Sequence, residues 1–550
     1  MATGLEFTKS PETGLEFNGP SPKAMGGLDG ASRTSRELAS WAPAIISPDQ
    51  QIIPNKELID ARAYDRVIND GYVMGADTMH RDNIVGAQFM LNSRPNWRAL
   101  GLDEMWAEEF QTEVETKFSL WANSPNNWPD ASRRNDLTEL VRLAVGCFFS
   151  AGEVLMTAEW IRQAARPYST AVQMVDVARL SNPNGESDTA TLRGGVERNM
   201  YGEPIAYHLR YSHPSEAYPD LPNYRWKRVA ARKPWGRLQV IHIFEQMRPD
   251  QSRGVAAMVS VLKQMRMTQR FQDIVLQNAV VNATYAATIE SELPPEAVYS
   301  QLGEGGTTEW AANFLSQIAA YSGGSKNLHI DGVKIPHLYP GTKMKLQPAG
   351  QPGGVGSDFE QSLLRHIAAA LGLSYEQFSR DYTQTNYSSA RASMNETHKA
   401  MTAKKKLVAD RTATAVFQLW FEEAWNKGHF ESLPRNAPDF YDGLNREAYM
   451  QCAWIGASRG QIDELKETEA AILRINNGLS TYEKEAARLG EDFRELFAQR
   501  AREKKMMDDL GIAPVTAAAS AAAPAGEKKT YPSDDDERKK PNTDEDNDNV

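Results

Sequence analysis

Five long segments of the chain carry apolar residues at the three- and four-residue spacing of an amphipathic helix. The intervening positions are polar or charged, so each segment predicts a helix that buries one face. The predicted helices span about residues 56–82, 136–149, 254–284, 357–371 and 388–427. Helices therefore dominate the predicted fold.

The pattern changes between residues 170 and 246, where short runs of β-type residues alternate with turn signals. Three such runs are Val172–Val175, Pro204–Tyr207 and Val240–Phe244, and Asn182–Gly185 is a predicted turn between two of them. Strands are also predicted near Phe89–Leu91 and Glu153–Met156. The predicted fold class is α+β. His242 alternates with apolar neighbours, which favours a hydrogen-bonded core histidine over a catalytic base.

Residues that end and start helices mark the joints in the C-terminal half. Gly372 follows the fourth helix and is expected to be its terminal glycine. Ser374 and Gln377 have the spacing of a capping box, so a short helix is expected to begin there. A polar loop, 380–387, then leads into the fifth helix.

The chain is predicted to be helical again beyond residue 460. Gly478 should end one helix, and Ser480 with Glu483 should cap the next. The predicted apolar stripe of that helix consists of Tyr482, Ala486, Leu489, Phe493 and Leu496. A single stripe on a heavily charged helix is suited to packing against neighbours.

Composition and charge narrow the class of protein. The 550 residues are 41% hydrophobic and 24% charged, as in ordinary globular proteins, and the length allows two to four domains. The net charge of −11 argues against a free nucleic-acid binder, which normally carries a basic excess. It does not exclude a conduit through which DNA slides. Cys147 and Cys452 lie in apolar surroundings and are interpreted as reduced core residues.

Both ends of the chain are predicted to be disordered. Residues 1–35 are polar and rich in glycine, proline and serine, and they lack the apolar core of a signal peptide. Thr3–Phe7 and Thr13–Phe17 are copies of one pentapeptide, which is either a docking motif or a duplication without consequence. Residues 512–550 become strongly acidic. No run of about 18 apolar residues predicts a membrane span.

The signatures of catalysis are missing from the sequence. There is no Gly-x-x-x-x-Gly-Lys-Ser/Thr loop, no His-Glu-x-x-His motif and no Gly-x-Ser-x-Gly elbow. The glycine-rich stretch Pro348–Gly356 lacks the lysine of a phosphate loop, so a hinge is favoured. Asp534–Asp536 lies in the acidic tail, where nothing holds carboxylates in metal-binding geometry. We predict no catalytic residue, no metal and no cofactor.

Two sets of residues are candidates for contacts with a partner. One polar stripe runs along the third predicted helix and consists of Lys263, Arg266, Arg270, Asp273 and Gln277. A basic cluster on the fifth helix consists of Lys399, Lys404, Lys405 and Lys406. The cluster is either an ordinary solvated helix face or a surface that faces DNA or an acidic partner.

Several separated motifs, in this order, resemble the lambda-type portal protein family of tailed phages. They are Asn83–Gly86, Leu180–Asn184, Ala283–Ser291, Pro336–Gly341, Phe359–Arg365, Ser374–Gln377, Ser389–Ser393 and Leu479–Glu485. The resemblance covers about residues 36–505, and the repeated pentapeptide and the acidic tail have no counterpart in it.

The resemblance implies a portal fold with a β-rich wing, long stem helices, an α/β clip and a helical crown. The implied regions are a disordered arm (1–35), wing (36–252), first stem helix (253–284), clip (285–356), second stem helix (357–379), tunnel loop (380–389), wing return helix (390–459), crown (460–511) and disordered tail (512–550). The implied tunnel-loop contacts are Tyr382, Thr383, Gln384, Thr385, Asn386 and Tyr387. The charged stripe, with Lys263, Arg266, Arg270 and Gln277, would line or border the channel.

The implied protein is a non-enzymatic ring, usually of twelve subunits, at one vertex of a capsid. Double-stranded DNA would pass through it without sequence recognition, during packaging in the host cytoplasm and during ejection from the virion. The implied partners are the terminase large subunit, head-completion or connector proteins, and the major capsid and scaffold proteins, with no membrane. The alternatives are a DNA-processing enzyme, either a nuclease or the packaging ATPase, and another structural protein of the head or tail.

Overall fold

The computed structural model describes residues 7–10, 14–17, 28–32, 35–216, 220, 224–284, 316, 327–330, 333–336, 355–460 and 463–512. Contacts divide the chain into two units, Met1–Asp463 and Glu464–Val550. Most of the region predicted as the clip, of the N-terminal arm and of the acidic tail lies outside the described residues.

The first unit is mainly helical. Its α-helices are α1 (Pro48–Ile52), α2 (Lys56–Asn69), α3 (Gly71–Ile84), α4 (Trp97–Leu100), α5 (Glu104–Ala122), α6 (Leu137–Ala151), α7 (Leu262–Thr284), α8 (Val355–Leu371), α9 (Tyr375–Ser379), α10 (Tyr387–Lys404), α11 (Asp410–Asn426) and α12 (Asn445–Tyr449). The second unit contributes α13 (Glu464–Asn476), α14 (Tyr482–Arg488) and α15 (Phe493–Asp509).

The strands form small antiparallel sheets. They are β1 (Phe7–Ser10), β2 (Gly14–Phe17), β3 (Met90–Ser93), β4 (Glu153–Trp160), β5 (Thr170–Met174), β6 (Leu192–Arg193), β7 (Val196–Arg198), β8 (Pro204–Arg210), β9 (Trp226–Ala230), β10 (Val240–Phe244), β11 (Asn327–Ile330), β12 (Val333–Pro336) and β13 (Cys452–Ile455). The two larger sheets have the orders β10-β4-β5 and β6-β7-β8-β9, and β13 pairs with β3. The prediction of an α+β fold with strands concentrated between 170 and 246 is confirmed.

An aromatic core joins α5 to α11. Phe118 of α5 packs edge-on against Phe417 and Trp420 of α11, with ring centroids 5.3 and 5.1 Å apart. Trp454 of β13 packs against Phe118 from a third direction, 6.1 Å away. Buried aromatic pairs stabilise a fold by more than the area that they bury. This cluster therefore holds residues before 122 firmly against residues after 410. A smaller core, which includes Leu155, Tyr207 and Val240, lies between the two larger sheets.

The long helix predicted over 388–427 is present but is interrupted by a π-helical turn, Lys405–Ala409. A π turn accommodates one extra residue and rotates everything that follows it about the helix axis. Gly372 has the left-handed φ of +74° expected after α8, and Ser374 with Gln377 forms the predicted capping box. These two predictions are confirmed.

Four predictions about the helices are wrong. The helix predicted over 56–82 is split at Asp70, whose carboxylate accepts from the first amides of α3 and so starts a new helix. The third helix begins at Leu262 rather than near 254, after a 3-10 segment, because Ala256 has extended backbone angles. Thr481, and not Ser480, caps α14.

The fourth correction concerns the stripe predicted for the second unit. It is divided between α14 and α15, because the chain turns at Gly490, where φ is +81°. Tyr482, Leu489 and Leu496 of this stripe are exposed in the single chain.

Gly152 ends α6 at the point where the chain before α7 passes closest to it. Its φ is +77°, and a Cβ built there would lie 2.0 Å from the backbone carbon of Val255. Gly185 has a similar φ of +70° but no atom within 4 Å of a built Cβ. Only glycine therefore fits at 152 for reasons of space as well as of backbone angle.

We predict that Gly152→Ala lowers the free energy of unfolding by about 3 kcal/mol or more, since steric displacement of backbone adds to the left-handed penalty. Gly185→Ala, the matched control, should cost only about 1 kcal/mol. Urea unfolding followed by circular dichroism measures both. Equal losses in the two variants would contradict the close approach at Gly152.

Candidate functional site

The predicted polar stripe lies on the exposed side of α7. Lys263, Arg266, Arg270 and Gln277 are all exposed, as is Asp273. Arg266 Nη1 donates to Gln269 Oε1 over 2.8 Å, the one side-chain hydrogen bond that the structure gives these residues. The structure thus brings the stripe together as a solvent-facing row with three cations and one carboxylate.

The other side of α7 packs against the main core and against α8. Met265 is buried in the main core. Phe271 packs edge-on against Phe359 of α8 with centroids 5.5 Å apart, and Gln272 Nε2 donates to Glu360 Oε1 over 2.7 Å. The helices that precede and follow the region predicted as the clip are therefore paired in one chain.

Beyond this contact, two apolar side chains in the described part of α7 are mostly exposed. Ile274 is 60% exposed and Leu276 is 66% exposed. Large apolar side chains that are exposed together usually mark a surface for association.

The loop between α9 and α10 is short and well organised. Arg380 has a left-handed φ of +60°, and the Asp381 carboxylate accepts from the backbone N–H and the hydroxyl of Thr383 at 3.1 and 2.6 Å. Hydrogen bonds to the ionised form, mainly from Thr383, lower the pKa of Asp381. Asn386 then caps α10 by accepting from Ser389 N over 2.8 Å. Tyr387 proves to be the first residue of α10.

The loop residues predicted to touch DNA stand at its exposed edge. Tyr382, Thr383, Gln384, Asn386 and Tyr387 are exposed, and Thr385 is half-buried. Arg380 and Asp381 at the start of the loop are charged, and from Tyr382 onward the loop presents hydroxyl and amide groups.

The four lysines of the basic cluster do not form one face. Lys399 and Lys406 are exposed. Lys405 Nζ instead donates to Asp410 Oδ1 over 2.7 Å and to the Trp454 carbonyl over 2.9 Å. Lys404 also points into the protein, so the cluster supplies two exposed cations rather than four.

Lys404 completes a buried contact that the sequence did not reveal, which we call the His80 latch. Its Nζ donates to His80 Nε2 over 2.9 Å and to the carbonyl of Leu371, the last residue of α8, over 3.1 Å. His80 Nδ1 donates to the Ala76 carbonyl over 2.8 Å. The latch thus joins α3, the end of α8 and α10. Burial, with the nearby Lys404 charge, lowers the pKa of His80 to about 3.

A buried carboxylate, Glu153 at the start of β4, holds the segment that enters α7. Glu153 Oε1 accepts from Arg253 Nη2 over 2.6 Å, and Oε2 accepts from the Gly254 amide over 2.7 Å. His242 Nε2 donates to Oε2 over 3.0 Å, which confirms His242 as a hydrogen-bonded core histidine. Lys56 Nζ lies 3.4 Å from Oε1. We call these residues the Glu153 cluster.

Arg253 extends the cluster into the strand-rich region between residues 170 and 246. Its guanidinium also donates to the carbonyls of Leu180, Gly194 and Val177 at 2.8, 2.9 and 3.1 Å. One side chain therefore fixes two backbone segments, 177–180 and the turn at Gly194, relative to β4. Leu180 opens one of the motifs on which the sequence resemblance rests.

Two strong effects on the pKa of Glu153 oppose each other. Burial alone would raise the pKa of Glu153, but Arg253 and Lys56 beside it, with the His242 hydrogen bond, hold that pKa well below its ordinary value. Glu153 is therefore ionised with no exposure to solvent.

The described residues offer little of the chemistry of an enzyme. Within them, no group of three His, Cys, Asp or Glu side chains is placed to hold a metal ion. Cys147 and Cys452 are unpaired thiols that pack against the core, and burial raises the pKa of Cys147 to about 11. None of the described helices is long and apolar enough to cross a membrane.

Comparisons with known proteins agree with one another. The model of a family described as phage portal protein, lambda family, matches residues 34–404. Portal protein B of Escherichia phage lambda is 38% identical over 89% of this chain and 91% of its own. The portal protein of Escherichia phage N15 is 38% identical over 88% and 90% of the two chains.

Solved structures are more distant in sequence. A chain from the neck of an empty gene transfer agent particle, computed with C6 symmetry, is 12% identical over 84% of this chain and 99% of its own, with a TM-score of 0.37. A chain from the neck of a native particle, computed with C12 symmetry, is 11% identical over 82% and 97%, with a TM-score of 0.35.

The Glu153 cluster should be costly to break. We predict that Glu153→Gln lowers the free energy of unfolding by about 3–5 kcal/mol, because it leaves Arg253 buried without its counter-charge. The matched control is Glu197→Gln, which breaks a partly exposed pair with Arg228 and should cost less than about 1 kcal/mol. Urea unfolding measures both, and similar losses would refute the role of Glu153.

The His80 latch should make stability depend on pH. Below its ordinary pKa of 6.5, the unfolded chain takes up a proton on His80 that the folded chain excludes until about pH 3. Acidification through this range therefore favours unfolding, and the stability contributed by the latch is fully present only above pH 6.5. We predict that His80→Gln flattens the slope of unfolding free energy against pH between 6.5 and 4.

The control for this experiment is His366→Gln, on an exposed side chain of α8. It should leave the slope as in the parent chain. A slope that is the same in the parent and in His80→Gln would show that the buried imidazole does not exclude the proton.

Proposed function

The chain belongs to the lambda family of phage portal proteins, and on that premise we propose that it forms a ring of about twelve subunits around a channel for double-stranded DNA. A portal protein is a structural component of the virion of a tailed phage, and not an enzyme. The observation that carries the proposal is the match over residues 34–404, which spans both paired helices and the loop that follows them. The ring sits at one capsid vertex and serves both packaging and ejection.

Within this ring, we assign α7 and α8 as the paired stem helices. Their contact through Phe271 and Phe359 supports the assignment, because the two helices leave and re-enter the wing side by side. The exposed apolar residues Ile274 and Leu276 support it further, since neighbouring subunits would cover them. The segment between the stem helices is the clip, where the terminase large subunit and then connector proteins dock.

The stripe on α7 provides the charge that faces or borders the channel. Lys263, Arg266 and Arg270, repeated around a ring, form belts of positive charge, while the chain as a whole remains acidic. Such belts attract phosphates over a distance that salt limits to about 10 Å. DNA is thereby centred without base recognition, which needs contacts to base edges.

The loop 380–387 is the tunnel loop of the proposal. Its hydroxyl and amide groups bind phosphate oxygens weakly and let them go, because no cation stands among residues 382–387. The hydrogen bonds of Asp381 to Thr383 hold the loop in shape from within, and the Asn386 cap fixes its exit into α10. Lys399 and Lys406, the exposed pair of the basic cluster, form either an ordinary solvated helix face or a surface that faces DNA or an acidic partner.

A DNA-processing enzyme is the alternative, and two assays distinguish it from a portal. The proposed protein on its own neither hydrolyses ATP at the rate of a packaging motor nor cleaves DNA with divalent metal ions. Either activity in the purified protein would refute the proposal.

The direct test is negative-stain electron microscopy with light scattering for mass. Rings with a central hole about as wide as a DNA duplex, at the mass of about twelve chains, are expected. Because ring closure can require a scaffold, the measurement is repeated with scaffold protein present. A chain that stays monomeric under both conditions and shows ATPase or nuclease activity would refute the proposal.

Substitution of the three stripe cations tests the channel assignment. Lys263→Gln, Arg266→Gln and Arg270→Gln together should change packaging efficiency or DNA retention several-fold while rings still assemble, because the belts are lost but the buried face of α7 is not. The amount of nuclease-protected DNA per particle measures the effect. The matched control is Arg225→Gln, Lys227→Gln and Arg232→Gln, three exposed cations in and beside β9. Unchanged packaging in the stripe variant would remove these residues from the channel.

A further inference from the structure

The segment that leads into α1 is an uncharged and mostly exposed arm, whose Ile46 carbonyl accepts a hydrogen bond from Arg248 Nη2 over 3.1 Å. Between Glu37 and Asp49 the sequence contains no charged residue. Trp41 is 69% exposed and Ile45 is 100% exposed, so the structure gives the Ile45 side chain no covering at all. From residue 41 to Ser47 the backbone is neither helix nor strand. We call residues 38–47 the arm; the name refers from here on to this segment and not to residues 1–35.

The base of the arm is, by contrast, firmly held. Asp49 is buried, and its carboxylate accepts from the backbone N–H and the hydroxyl of Ser252 at 2.7 and 2.8 Å. Arg193 and Arg198 lie 3.4 and 3.6 Å from the same carboxylate. The arm therefore leaves the wing at a fixed point, and the residues from Ser47 back to Trp41 extend roughly 20 Å from it.

A groove on the proposed wing exposes aromatic side chains that an apolar segment could cover. It has a volume of about 950 Å³ and runs between the far end of β4, the loop before β10 and the end of α11. Trp160 and Trp235, which line it, are 51% and 56% exposed, and Tyr441 is similarly open. We call this the tryptophan groove.

The two carboxylates at the floor of the tryptophan groove, Glu422 and Glu423, already have partners within the chain. Glu422 accepts from Trp235 Nε1 over 3.0 Å and from Arg237 Nη1 over 3.1 Å. Glu423 accepts from the amides of Ser169 and Thr170, each over 2.7 Å. With these two charges neutralised from within, the groove offers aromatic faces, and its volume is that of a site for a compact, mostly apolar ligand. An uncharged segment with a tryptophan and two isoleucines fits this chemistry.

We propose that the arm of each subunit docks in the tryptophan groove of a neighbouring subunit. The neighbour is the adjacent copy in the proposed ring, so this part of the inference rests on the proposed function. Arm and groove are different patches of the same chain, and a contact between unlike patches is the kind that repeats around a closed ring. The docked arm buries Trp41 and Ile45, which the single chain leaves in water.

Engineered cysteines test the contact in the assembled full-length protein. Ile45→Cys and, separately, Ala42→Cys are each combined with Lys233→Cys at the rim of the groove. Mild oxidation should give a ladder of covalently linked subunits on a non-reducing gel from at least one pair. The parent chain, with only Cys147 and Cys452, should give none. A disulfide within one chain, or no disulfide from either pair, would overturn docking between subunits.

A labelled peptide of residues 36–49 separates this inference from the ring itself. It is added to the full-length chain carrying Trp41→Ser and Ile45→Ser, whose own arm no longer competes. We expect binding that weakens at least tenfold when Trp160→Ser and Trp235→Ser are added. The matched control, Tyr201→Ser, changes an exposed aromatic residue in the turn before β8 and should leave binding unchanged.

The outcomes distinguish the two proposals. If the chain never forms rings but captures the peptide through the two tryptophans, the ring is refuted and recognition of the arm by the groove is supported. If rings form but the peptide binds with no dependence on Trp160 and Trp235, the docking is refuted and the ring stands.

Discussion

The ionised carboxylate of Glu153, buried without access to water, is the constraint on which the arrangement of β4, its neighbouring segments and the start of α7 depends. A charge in that position is tolerated only if cations and N–H groups surround it. Arg253 and the Gly254 amide meet this need from the segment that enters α7, and Lys56 meets it from α2. The start of α7 is thus fixed by an electrostatic requirement as well as by the burial of Met265 in the main core.

The second long helix has an analogous anchor at its opposite end. Lys404 donates a hydrogen bond to the carbonyl of Leu371, where α8 ends, and a second one to His80 of α3. A cation at the C-terminus of a helix also interacts favourably with the helix dipole. The π turn that follows Lys404 lets Lys405 turn to Asp410 and Trp454, so consecutive lysines serve different parts of the core.

Local signals in the sequence predicted the elements well, and long-range contacts account for what they missed. The apolar spacing identified most of the long helices but missed α5. Gly372 with the Ser374 capping box predicted the joint before the loop because both act within a few residues. The start of α7 was predicted too early, since Arg253 and Gly254 are engaged by Glu153, a residue a hundred positions away. Lys404 was predicted to be part of a basic cluster because its partners, His80 and Leu371, are distant in the sequence. Its partner, His80, lies on a helix for which the apolar spacing predicted a buried face but no polar contact.

Together, the two anchors give the paired helices the mechanics of a beam clamped at one end. Each is fixed at one end, through Glu153 or through Leu371, while Ile274 and Leu276 further out touch little in the part of the chain that the structure describes. The bending stiffness of the outer part therefore comes from whatever packs around it, and a force applied there acts as a torque on two buried polar clusters. Bending of the paired helices and the electrostatics of their anchors are in this way parts of a single mechanical system.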